Sequence, residues 1–197
     1  NIDINAQDNN GWTALMVMCR YNNRIFDVGI DAVKLLLNYP KIDINKQNSV
    51  GWTALMIACK YSSINSNIET IKLLLCQPNI DINRLDMQKK SNLMMICDDI
   101  EKNLEILTLL LEHPKIDMDK QVGNLEVMFT LNKIPKNIRK QIIDKYIENI
   151  LNKGIYVDEH LIETLIKYDS ESSELLLSRV FFPLERNRYL KIGRAHV

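Results

Sequence analysis

Three of the four cysteines are spaced like one residue seen three times: Cys19, Cys59 and Cys97 fall 40 and 38 residues apart. Converging thiolates bind soft metals, and an activated thiolate is a nucleophile. This spacing suits neither. No Cys-x-x-Cys pair or histidine cluster accompanies the cysteines, whereas a metal site needs three or four ligands in one place. Equivalent positions in stacked units also lie about 10 Å apart, too far for a disulfide. The expectation is a row of small buried thiols in a reducing compartment, with Cys76 a helix residue without an evident partner. His113 precedes Pro114 at an expected helix end, where an imidazole can bond the last carbonyls. His160 follows Asp158 and Glu159 but has no second His or Cys beside it. No Gly-rich phosphate loop or nucleophile elbow occurs. No catalytic residue, metal ligand or cofactor is therefore assigned, and the chain is read as a non-enzyme.

The cysteine spacing belongs to a longer pattern. Ile-Asp-Ile-Asn stands at Ile2–Asn5, Ile42–Asn45 and Ile80–Asn83, and fades to Ile116–Asp119 and Ile155–Asp158, in steps of 40, 38, 36 and 39 residues. Each of the three cysteines lies 17 residues after the Ile that opens its unit. A segment returning at such a period is one supersecondary unit stacked on copies of itself, so the chain is a solenoid with an extended surface. The Asp of each tetrapeptide recurs with the unit and is read as part of its connector, not as a catalytic carboxylate.

Alignment on the first Ile places Gly11–Met16 over Gly51–Met56, and Val33–Leu37 over Ile71–Leu75 and Leu107–Leu111. These apolar runs predict two short helices per unit. Thr13, Thr53 and Ser91 stand where a side-chain oxygen can cap the first helix, and Pro40, Pro78 and Pro114 follow the Leu triplets and end the second. From each Leu triplet to the next Ile is always 5 residues, but from the repeated Cys to the second helix the distance is 11, 9 and then 7. The length variation thus falls in the loop between the two helices, where an insertion leaves stacking undisturbed.

Two helices and an extended connector, with Asn-x-x-Asp-x-x-Gly-x-Thr leading into the first helix, resemble the ankyrin repeat. The residues are Asn5, Asp8, Gly11 and Thr13, then Asn45, Gly51 and Thr53, with Asn48 in place of the Asp. The resemblance spans residues 1–121, with units starting near 2, 42 and 80. It implies an all-α ankyrin-repeat solenoid of stacked helix-turn-helix units with short hairpin-like connectors. These units are longer than the usual ankyrin period. The family's Pro after the capping Thr is replaced by Ala14, Ala54 and Asn92, and its His by Met16, Met56 and Met94, so apolar packing must hold the joints. Lys89 and Lys90 take the places of Gly and Trp, and Lys89 would need a positive φ costing about 1 kcal/mol. A distorted or more mobile third hairpin is expected.

After Gln121 the pattern decays. Residues 122–191 are expected to form degenerate repeats and a helical cap, with helices over Leu125–Leu131, Ile138–Leu151, Leu161–Tyr168 and Ser173–Phe182. Residues 192–197, Ile-Gly-Arg-Ala-His-Val, resemble the translation of an adapter oligonucleotide used in short-read sequencing, so an artefactual tail is expected there. The chain begins at Asn1 inside a unit, and upstream sequence is expected.

In ankyrin arrays partners meet the surface of hairpin tips and first helices. The matching positions are Asn9, Asn10, Trp12, Arg20 and Tyr21, then Ser49, Val50, Trp52, Lys60 and Tyr61, then Met87, Gln88, Lys90, Asp98 and Asp99. Trp, Tyr and Arg dominate interface energies because each buries much area and keeps a polar handle. Two readings stand for Trp12 and Trp52: a two-step aromatic ladder for a partner, or packing of each ring on its neighbouring hairpin. Arg20 and Lys60 are followed by Asp98 and Asp99, which suits a partner presenting an acidic patch beside a basic one. The loops 21–29 and 61–67 offer a second contact surface, although drift in a tolerant loop explains them equally well.

Lys plus Arg and Asp plus Glu number 25 each, so no net field draws the chain to nucleic acid or an anionic membrane. Apolar runs such as Leu73–Cys76 fall far short of the roughly 20 residues that span a bilayer. The expectation is a cytoplasmic monomer that scaffolds a protein partner, with no nucleic acid and no membrane insertion. An alternative comes from residues 134–147, whose hydrophobic spacing after Ile134-Pro135 looks like the opening of an F-box. That resemblance would make the repeats the substrate receptor of a ubiquitin ligase. An amphipathic second helix of a fourth repeat explains the same spacing.

Overall fold

A hydroxyl stands at the start of each first helix and a proline beyond the end of each second one. The computed structural model describes residues 3–21, 28–62 and 68–122, with scattered positions between 135 and 152. It contains α1 (Ala14–Tyr21), α2 (Val28–Leu37), α3 (Ala54–Lys60), α4 (Ile68–Leu75), α5 (Asn92–Ile96), α6 (Leu104–Glu112) and α7 (Met118–Val122). A 3-10 stretch, Cys97–Asn103, joins α5 to α6. No strand occurs among the described residues. The hydroxyls of Thr13, Thr53 and Ser91 accept from the N–H groups of Met16, Met56 and Met94 at 3.3, 3.2 and 3.3 Å, so all three expected caps form.

The first helices stack in one row, α3 between α1 and α5, and the second helices in another, α4 between α2 and α6. Its middle place explains why α3 is buried from Ala54 to Cys59, while α1 buries only Leu15, Met16 and Cys19. Met16 and Met56 sit at 1% and 0% exposure, so thioethers do fill the joints where the family carries a histidine. Asn92, where the family has Pro, is buried and donates to the Ile82 carbonyl at 2.6 Å.

Cys19 and Cys59 are buried thiols outside any disulfide, and Cys76 is an exposed one. Burial pushes the Cys19 thiol up to about 12, and it raises Cys59 further still, with a smaller push from Cys19. Both stay protonated near neutral pH, which suits packing and not nucleophilic attack. The Cys97 side chain lies outside the described residues.

The connectors carry a ladder that links each unit to the next. Asn5 donates to the Lys41 carbonyl at 2.7 Å and accepts from the Asp43 N–H at 2.8 Å. Asn45 does the same to Asn79 and Asp81, and Asn83 to Lys115 and Asp117, again at 2.7 and 2.8 Å. The Asp two residues before each Asn accepts from that Asn's own N–H, at 2.9, 3.0 and 3.1 Å for Asp3, Asp43 and Asp81. This is a side-chain turn, the structural role expected of these carboxylates.

The fourth connector departs from the first three. After Asp117 the chain turns at once into α7, whose Met118 stands at the register of Ile4, Ile44 and Ile82. Gln121 on α7 is fully buried and donates to the Ile82 carbonyl at 3.0 Å, while its own carbonyl accepts from the Ser91 hydroxyl at 2.8 Å. These bonds seat α7 against α5.

The chain divides into two compact units, Asn1–Gly123 and Asn124–Val197. In the second, Lys136, Asn137, Lys140, Gln141, Asp144, Lys145, Glu148 and Asn152 are helical. Of these, Lys140, Gln141, Asp144, Lys145 and Glu148 fall in the expected helix 138–151, and the rest of the segments expected to be helical lie outside the described residues, as does the tail 192–197. No helix among the described residues is long and apolar enough to cross a membrane.

Candidate functional site

Each hairpin is built around one short polar side chain. Asp8 Oδ1 accepts from the N–H groups of Asn10 and Trp12, both at 2.8 Å. Asn48 repeats this with Val50 and Trp52 at 3.1 and 2.9 Å, and Asp86 with Gln88 and Lys90 at 2.8 and 2.7 Å. A backbone bond of 2.9 Å closes every turn, from Gly11, Gly51 and Lys89 to the carbonyls of Asp8, Asn48 and Asp86. The φ angles of those three donors are 75, 82 and 61°.

The third hairpin therefore keeps the shape of the other two, and the expected distortion is corrected. Lys89 takes the left-handed conformation at about 1 kcal/mol because the Asp86 carboxylate and the backbone bonds over-determine the turn.

Neighbouring hairpins are joined tip to tip. Ser49 N–H donates to the Asn10 carbonyl at 3.0 Å and Met87 N–H to that of Val50 at 3.2 Å. Gln7 and Gln47 add side-chain bonds within their own hairpins, to Gly11 and Gly51 at 2.6 Å, and to the next unit, at the carbonyls of Gln47 and Leu85 at 3.0 Å. The sequence reading missed these glutamines and the Asn ladder. Their recurrence in register at 7 and 47, and at 5, 45 and 83, was the available signal.

Between the second and third hairpins and the helices they lead into lies a recess of about 310 Å³, lined among others by Val50, Trp52, Lys60, Met87, Lys90 and Met94. Val50 and Met87, joined tip to tip by the Met87 N–H bond, are 49% and 74% exposed at its edge. Trp52 is half-buried, and its Nε1 donates to Asp86 Oδ2 at 3.0 Å. One hairpin earlier, Trp12 is also half-buried, and the Arg20 guanidinium stands 5.4 Å from its ring. The same guanidinium lies 5.2 Å from Tyr21 and 5.0 Å from Tyr61, tying the first unit to the second.

Residues 1–86 and 26–124 match the family model of ankyrin repeats in 3 copies. The chain belongs to the ankyrin repeat family. A comparison with curated protein sequences gives no match. Among solved structures, the ankyrin repeat domain of Bcl-3, described as a unique member of the IkappaB protein family, is similar in fold. The TM-score is 0.55 at 20% identity, over 76% of this chain. The chain spans 60% of that domain's length.

Within this ankyrin array the expected surface residues separate into four groups. Val50, Trp52, Lys60, Met87, Gln88 and Lys90 share the recess, with Asp86, Met94 and Met95, which the sequence reading did not single out. Trp12, Arg20, Tyr21 and Tyr61 form the stacked aromatic group, and Asn9, Asn10 and Ser49 are exposed at the tips. Asp98 and Asp99 fall in the 3-10 stretch, where Asp99 leaves helical geometry (φ −142°, ψ 57°) and pairs with Lys102 at 2.7 Å. The side chain of Asp98 lies outside the described residues. So do most of the two long loops, at 22–27 and 63–67. No group of three or more His, Cys, Asp or Glu able to hold a metal ion occurs among the described residues.

Proposed function

We propose that this ankyrin array is a non-catalytic scaffold that binds one protein partner along its hairpin tips and first helices. The observation that carries the reading is the recess beside Trp52, with Val50 and Met87 exposed at its edge. Exposed apolar side chains next to a half-buried aromatic ring make the arrangement that concentrates binding energy. The stacked Arg20 group extends the same strip toward the first unit. Residues 122–191 are on this reading degenerate repeats and a cap, because α7 stands in place of a fourth extended connector. A cytoplasmic monomer suits three reduced cysteines.

The test is the double substitution Trp12→Ala with Trp52→Ala. Two ring truncations at about 2 kcal/mol each predict a loss of partner affinity of roughly 10²–10³-fold, with helical circular dichroism unchanged. Undiminished binding by the folded double variant would remove this surface from the account. Trp52→Phe separates the ring from its indole donor, and should keep most of the affinity.

A further inference from the structure

The recess has a sign as well as a shape. Of the residues that line it, Lys60 and Lys90 are basic and Asp86 is the acid. The Asp86 carboxylate is buried and already accepts three hydrogen bonds, from Gln88 N–H, Lys90 N–H and Trp52 Nε1. Its charge is consumed inside the hairpin. Lys89 and Lys90 are exposed and form no ion pair among the described residues. Lys89 also holds a strained φ of 61° where the two earlier hairpins have glycine, so a lysine stands at this rim in spite of its conformational cost. Of the two acids farther along the strip, Asp99 is paired with Lys102, and the side chain of Asp98 lies outside the described residues.

We infer that the recess takes an extended partner segment in which one large apolar side chain, such as Leu, Met or Phe, is flanked by Asp or Glu. This rests on the surface proposed above and names the chemistry of its partner. A volume of about 310 Å³ lies at the small end of ligand sites and suits a side chain or two. Trp52 and the thioethers of Met87 and Met94 offer polarizable walls that adapt to different apolar shapes. Lys89 and Lys90 select the flanking carboxylates, speed their encounter and repel basic segments.

Selection of random displayed peptides on the full chain tests this, with each enriched peptide then measured against three variants. The first variant is Lys89→Gly with Lys90→Glu, which restores the glycine of the other hairpins while reversing the charge. The second is Lys41→Glu, a charge reversal outside the recess, and the third is Trp12→Ala with Trp52→Ala. The expected peptides carry an apolar residue between acidic ones, and lose affinity about tenfold or more on the first variant but not on the second. Their binding weakens with added salt. Peptides without acidic bias that are indifferent to the first variant but lost on the third overturn the inference alone. Peptides indifferent to all three variants overturn the proposed surface as well. No enrichment over the first variant also overturns the inference.

Discussion

Gly51→Ala lowers stability by about 3 kcal/mol, more than any surface substitution in the array. An L-residue in the left-handed region costs about 1–2 kcal/mol, and Gly51 has φ +82°. The larger obstacle is space. A Cβ there would stand 2.7 Å from the Met87 nitrogen and 3.0 Å from the Asp86 Cα, both backbone atoms of the next hairpin. No rotamer change relieves such a contact. The third hairpin must move away, and the bond from Met87 N–H to the Val50 carbonyl goes with it. Because a repeat contacts only its neighbours, the damage is local in structure but weakens the whole stack. Urea unfolding should show a lower midpoint and a broader transition. Lys89→Gly is the internal control: the same backbone conformation, without a side chain to strain it, should leave the midpoint unchanged or raise it. An unchanged midpoint for Gly51→Ala would mean that the hairpins are not stacked at this distance.

The second large effect is at Asn45. Its amide donates to the Asn79 carbonyl at 2.7 Å and accepts from the Asp81 N–H at 2.8 Å, so one side chain clamps the next connector by two bonds. Asn45→Ala removes both and leaves two backbone groups to find water. For a half-buried site the cost is about 2 kcal/mol, below the full penalty of two buried orphans. Asn45→Asp keeps the acceptor but not the donor and should recover only part of the loss. If the array is held as described, Asn45→Ala shifts the urea midpoint while Lys41→Glu does not. A neutral Asn45→Ala would make the ladder a by-product of stacking.

Local patterns in the chain announced most of this architecture, and contacts across units account for what they did not announce. The three caps and the helix ends were legible because each depends on residues within one turn. So was the buried row of Cys19 and Cys59. The role of Ile-Asp-Ile-Asn was half legible. Its Asp bonds two residues away, but its Asn bonds backbone groups 32 to 38 residues away in the next unit, as the Asn5 and Asn83 contacts illustrate. Recurrence marks such a residue without naming its partner. The expected distortion at Lys89 failed for a related reason. The intrinsic cost of positive φ was correct, but the local bonds around Asp86 hold the turn regardless.

The surface was legible by position and not by pairing. Nothing in the order of residues says that Arg20 lies over Tyr61, or that Trp52 reaches Asp86. The packing reading of the tryptophans holds at Trp52. Trp52 packs on its neighbouring hairpin through Nε1 and also walls the recess. Nor did the spacing reveal that Asp99 would be paired.

Hydroxyl-radical footprinting with a bound partner reads the binding surface residue by residue, because Met, Trp and Tyr report their own solvent access. Met87, Trp52, Trp12 and Tyr61 should lose most of their oxidation when the partner is present. Leu35 and Tyr39, exposed at 73% and 46% on α2 and the turn after it, should be oxidised as before. Protection of Leu35 and Tyr39 with Met87 and Trp52 unchanged would place the partner on the second helices and contradict the account.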